Sequence, residues 1–182
     1  MFDHPLGVAD FQLYLLKAMN PPESLLAPAL IELESSKEDM SARFDSVHQA
    51  LWPPDGGSAK NILSILDQVS RPGSLPDGGA VFSLPIWKGF LYTVSFDPTG
   101  HFFYTSHFTR RGRRNTALTL RPWEILESEL PEMFDQIEEF ETWGPSYRVL
   151  TARCLENGEV FRLRFGFGLL QAIIFRSGSA SA

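Results

Sequence analysis

Over the first seventy residues the apolar positions recur at helical spacing. Val8 to Met19 is apolar-rich and stops at Asn20-Pro21-Pro22, where proline forbids continuation. Glu23 to Glu34 contains Pro28, which predicts a kink or a split there. Ser36 and Asp39 form a capping pair ahead of Met40, Phe44, Val47 and Leu51, and Trp52-Pro53-Pro54 ends that helix. Ser58 can cap a fourth helix striped by Ile62, Ile65, Leu66 and Val69.

The period then changes. Arg71 to Gly79 reads as a Gly- and Pro-rich loop, and from Val81 the residues become aromatic and β-branched. Asp97-Pro98-Thr99-Gly100 suits a turn between strands Gly89–Asp97 and His101–Thr109, with Val94 facing Tyr104 and Phe90 facing Phe108. Met133, Phe134, Ile137 and Phe140 look like one stripe of a helix over 122–141, with Glu132, Asp135, Glu138 and Glu139 opposite. Asn157-Gly158 signals a hairpin, because a type I′ turn needs positive φ at both residues. With Glu156 opposite Glu159, Ala152 meets Leu163, Leu150 meets Phe165, and Arg153 meets Arg162. A third strand, Leu169 to Arg176, follows Gly166-Phe167-Gly168.

These elements predict one α+β domain over 1–176, with an antiparallel sheet built from two hairpin-rich blocks. The parts are a helical region 1–70, a β block 80–120, an acidic helix 122–141 and a β meander 146–176, followed by a small-residue tail 177–182. The loop 71–79 is the one boundary at which a helical and a β-rich module would separate.

Composition narrows the class. The chain has 182 residues, 43% hydrophobic and 21% charged, too apolar for disorder and long enough for a real core. Its apolar runs are short, such as Leu25 to Ile31, far below the ~20 residues of a membrane span. Residues 1–16 hold no Lys or Arg, so a secretory signal with a basic start is not expected. One cysteine, Cys154, excludes an internal disulfide framework and Cys-based zinc clusters. The expectation is a soluble, cytoplasmic protein without a membrane partner.

The net charge of −6 argues against general nucleic-acid binding but hides a separation. Residues 124–141 contain eight acids and no base, whereas 110–121 contain five arginines and no acid. Eight carboxylates in eighteen residues repel one another, and such a field also speeds association with a basic partner. Glu132, Asp135, Glu138, Glu139 and Glu141 are therefore the candidate partner-binding residues. Arg110, Arg111, Arg113 and Arg114 after an aromatic strand, with Arg153, Arg162 and Arg164 in the meander, are the candidate anion-binding residues. Two arginines directly opposite each other would need an anionic companion.

Catalytic chemistry has little support. Cys154 falls on the face of Ala152 and Leu150, where a thiol is a small hydrophobe. No Gly-x-Ser-x-Gly elbow or Ser-x-x-Lys occurs, and Gly57-Ser58-Ala59-Lys60 lacks the spaced glycines of a phosphate loop. His101 and His107 share a strand face but stand roughly 20 Å apart at ~3.3 Å per residue, too far for one zinc ion. Asp45 and His48 are three apart on a helix without further ligands. No metal or cofactor is expected.

In size and charge the chain is similar to small acidic α+β binding proteins of bacteria, such as toxin-neutralising immunity proteins and secretion chaperones. The expectation is a non-catalytic inhibitor-type protein that neutralises a basic protein partner. The rival readings are an anion- or phosphate-binding domain or enzyme using the arginines with His107, a secretion chaperone, and an RNA-binding domain.

Overall fold

The computed structural model describes residues 5–53, 58–66, 73–74, 79–99, 101, 103–112 and 119–177. The fold is α+β, and the chain divides into two compact units, Met1–Ser106 and His107–Ala182. The division falls inside a strand, and the loop 71–79 lies within the first unit.

In the first unit, helices α1 (Val8–Met19), α2 (Glu23–Glu32), α3 (Lys37–Leu51) and α4 (Ser58–Leu66) precede a sheet. Asp10 accepts from the Gly7 N–H at the start of α1, and Asn20 ends that helix in the left-handed conformation. Ser36 caps α3 by accepting from the Asp39 N–H, the reciprocal bond returning to Asp39. Met40, Val47 and Leu51 are buried, as are Ile62, Ile65 and Leu66 of α4; Val69 lies outside the described residues. Pro28 does not split α2. It sits at the sixth position, where its missing N–H leaves a single carbonyl of the first turn without its helical donor.

The first sheet has the order β1 (Gly73–Ser74), β2 (Ala80–Phe82), β3 (Phe90–Phe96), β4 (Phe103–Arg110). Gly73 and Ser74 are thus not plain loop but pair with Val81 and Ala80. Asp97 holds the turn by accepting from the Thr99 and His101 N–H groups. The buried Tyr92 and Ser106 hydroxyls meet at 2.5 Å, as residues opposite each other in a hairpin about that turn should. Gly100 and Phe102 lie outside the described residues.

In the second unit, β5 (Phe134–Thr142), β6 (Arg148–Cys154), β7 (Val160–Gly166) and β8 (Leu169–Arg176) form a second antiparallel sheet in sequence order. Its inner face buries Leu150, Ala152, Phe161, Leu163, Phe165 and Leu170 against Ile125, Leu130 and Phe134.

Here the sequence expectation fails in an instructive way. Residues 122–141 hold no acidic helix: a 3-10 segment, Glu127–Glu132, ends at Pro131-Glu132, and Phe134 begins strand β5. Proline withholds the N–H that would extend the short helix backwards. β5 then carries two register shifts, between Asp135 and Glu138 and between Glu139 and Glu141, with Gln136 in the left-handed region at φ 46. Each bulge inserts a residue into a strand of period two: Phe134 points into the core, whereas Ile137 and Phe140 fall within the two irregularities, three apart in sequence. That spacing imitates a helix.

The β6–β7 hairpin differs in register. Gly158 alone has positive φ, +69; Asn157 does not, so the two-residue type I′ turn is not formed. Instead Gly158 N–H donates to Cys154 O at 2.9 Å and Cys154 N–H to Glu159 O at 2.8 Å, closing a four-residue loop. Arg153 consequently faces Val160, and Arg162 faces Thr151. The shift is by two residues, so every side chain keeps its expected face while changing partner. The type I′ geometry appears one turn later, at Phe167 (φ 50) and Gly168 (φ 77).

Candidate functional site

The outer face of the second sheet follows from its register. One row across the strands reads Asp135, Arg153, Val160, the next reads Glu138, Thr151, Arg162, Phe175, and the third reads Glu141, Val149, Arg164, Ala172. Each row begins with a carboxylate on the edge strand and holds an arginine further in. The acids form a column on β5; Arg162 and Arg164 form a column on β7, about 10 Å away at ~4.8 Å per strand.

These charges divide sharply by what they touch. The Arg162 guanidinium lies 3.8 Å over the centroid of the Phe140 ring, and its buried Nε has no hydrogen-bond acceptor among the described residues. A buried N–H left unpaired costs about 1–3 kcal/mol. Glu138 and Asp135 form no ion pair or hydrogen bond among the described residues. Arg153 donates through Nε to Gln136 Oε1 at 2.8 Å. Arg164 is nearly buried, 9% exposed, above the Tyr147 ring, and burial lowers its pKa. Glu141 accepts from the Trp143 indole N–H at 2.7 Å.

Of the remaining sequence-selected charges, Arg110 and Glu139 are paired inside the unit. Arg110 clamps Glu129 through two hydrogen bonds of 2.5 and 2.7 Å, and Glu129 also accepts from the Leu126 N–H at the start of the 3-10 segment. The bond to Glu129 raises the Arg110 pKa further. Arg148 bridges Glu127 at 2.5 Å and Glu139 at 2.8 Å. Burial raises the Glu127 pKa, an effect opposed by Arg148 and reinforced by Glu139. Glu132 is exposed ahead of β5, and Arg111 is exposed beyond β4. Arg113 and Arg114 lie outside the described residues. The structure therefore gathers Asp135, Glu138, Glu141, Arg153, Arg162 and Arg164 on one face, and assigns Arg110 and Glu139 to internal pairs.

Phe140, which the helical reading set on its apolar stripe, belongs to this surface, together with aromatic residues outside that stretch. Phe140 is 57% exposed and Trp143 is 74% exposed; Phe175 and Ile174 are about half exposed at the other end of the face. The spacing of three from Phe134 to Phe140, in place of the alternating three and four of a helix, was the available signal.

On the inner side, a cleft of about 270 Å³ is lined by Leu120, Met133, Phe134, Cys154, Phe161 and Ile173, with the Glu159–Arg176 ion pair at 2.7 Å at its rim. Cys154 is partly buried and packs against the core cluster. No histidine lines the cleft. His107 is exposed on β4, its pKa lowered by desolvation. Among the described residues, no three His, Cys, Asp or Glu side chains are grouped to hold a metal ion, and no helix is long and apolar enough to cross a membrane.

Fold and site thus define an α+β protein with an open, charge-striped sheet face. Compared with known proteins, the chain matches no family model, no curated protein and no solved structure.

Proposed function

We propose that this is a non-catalytic protein-binding protein of the inhibitor or immunity type, and that it takes a basic protein partner on the outer face of the β5–β8 sheet. The observation that carries the reading is the β5 edge: Asp135 and Glu138, without ion pairs among the described residues, flank the exposed Ile137, Phe140 and Trp143. Aromatic anchors ringed by charge are the composition of protein interfaces, and carboxylates without internal partners are free to steer a cationic one. The bulges also direct docking to the face, because a doubly bulged edge is a poor template for an added strand.

The test is capture of partners from the source cell by wild type and by the double variant Asp135→Lys/Glu138→Lys. Both positions lie outside internal ion pairs, so the fold is preserved. A basic protein recovered with wild type and lost with the variant supports the reading, with an association rate that falls as salt rises. Equal recovery by both proteins overturns it.

A further inference from the structure

The face has a property that a single column of acids would not have: it is complementary to itself. Glu138 and Arg162 lie in one row, two strands apart, with the small Thr151 between them on β6. A twofold axis running along β6, in the plane above this face, carries the β5 of one copy over the β7 of the other. Glu138 of each chain then stands over Arg162 of its partner, and the two Thr151 side chains meet at the axis. Sheets packed face to face lie about 10 Å apart, a gap that a glutamate and an arginine span together. Contacts of this kind occur twice in an isologous dimer.

Three observations converge on this occupant. Among the described residues Arg162 has no ion pair or hydrogen-bond acceptor, and its Nε is buried. Glu138 has no donor among the described residues, although it shares the row. Phe140, which covers one side of that guanidinium, is exposed, as is Phe175 at the far end of the row. A second copy brings a carboxylate to the terminal nitrogens of Arg162, a donor to Glu138 and cover to the exposed rings in a single placement.

We propose that the free protein closes this face on a second copy of itself, through reciprocal Glu138–Arg162 pairs, so that self-association masks the docking surface. The inference rests on reading this face as a docking surface, and it adds the partner that occupies it when no other is bound. An association held chiefly by two ion pairs open to solvent at their rim is weak and dependent on concentration. The same axis brings Arg153 of the two chains towards each other, because Arg153 lies on β6. Like charges there oppose the dimer.

The experiment measures mass by light scattering and sedimentation over a concentration series, for the full chain and its variants. Wild type shifts from monomer to dimer with concentration. Glu138→Arg and Arg162→Glu each weaken the dimer by about tenfold or more, because each creates two repulsive pairs. Mixed in equal amounts, the two variants associate again as a heterodimer, since both cross-pairs then carry opposite charges. Arg153→Ala tightens the dimer, opposite in sign to Arg162→Ala. Circular dichroism and melting confirm that each variant is folded. A wild type that stays monomeric, single variants that dimerise as well as wild type, or a mixture that fails to recover association overturns the proposal. A monomeric wild type that still captures a basic protein refutes self-association alone; a dimer of this design with no such capture refutes the reading above alone.

Discussion

Arg110 and Arg162 both sit on strands beside carboxylate-rich segments, yet their surroundings are opposite. Arg110 meets Glu129 in a two-pronged bond and donates as well to the carbonyl of Glu124 at 2.7 Å. Arg162 lies over the Phe140 ring and has no ion pair among the described residues. The first arginine ties β4 to the segment that enters the second sheet, and its partner also caps that segment. Arg162 has nothing comparable among the described residues. Charge in this protein therefore serves two ends, and the sequence block from which an arginine comes does not say which.

Mutations can break this contrast. The largest effect belongs to the clamp: Glu129→Ala leaves the partly buried Arg110 without its carboxylate and removes the cap on the Leu126 N–H, and Arg110→Ala leaves Glu129 without its cation, costing about 2–3 kcal/mol. In a thermal melt that is a fall of about 5–10 °C. An unchanged melting temperature would remove Arg110 from the structural class. Arg148→Ala comes next, at about 1 kcal/mol, because its two pairs with Glu127 and Glu139 are more open to solvent. Arg162→Ala should change stability by no more than about 0.5 kcal/mol while abolishing self-association. A loss as large as that of Arg110 would show that Arg162 holds the fold.

The smallest effect concerns pH. Desolvation lowers the folded-state pKa of His107, so the unfolded chain binds the proton more tightly. The stability it contributes is complete above the unfolded value of about 6.5, and declines as pH falls below it. Denaturant titrations of His107→Gln and wild type should differ by a constant above about pH 6.5, with wild type losing ground below it. A difference that stays constant in acid would show that His107 is as solvated folded as unfolded.

Much of this architecture was legible from local chemistry. The Ser36–Asp39 cap, the breaks at Asn20 and Trp52, and the strand after Gly168 all depend on residues adjacent in sequence. The face of every residue in β6 and β7 was legible too, because an even slip in register preserves sides. What stayed hidden depended on distant pairing. Whether Asn157 takes positive φ is settled by the loop that the whole hairpin adopts, so Arg162 could not be matched with Thr151 beforehand. Nor could Phe134, Ile137 and Phe140 be separated from a helical stripe without knowing that β6 runs beside them. The candidate site inherited both effects: its acids and arginines were named, whereas Phe140 was set on the apolar stripe of a helix.

The bulges in β5 have one more consequence, for shape. Nine residues of β5 run beside seven of β6, so the edge carries surplus chain that a flat ladder cannot hold. Surplus of this kind is absorbed as added right-handed coiling. The carboxylates of Asp135, Glu138 and Glu141 therefore fan around a spiral instead of stacking along a straight line. Each gains its own share of water, and their mutual repulsion is diluted without an ion pair among the described residues.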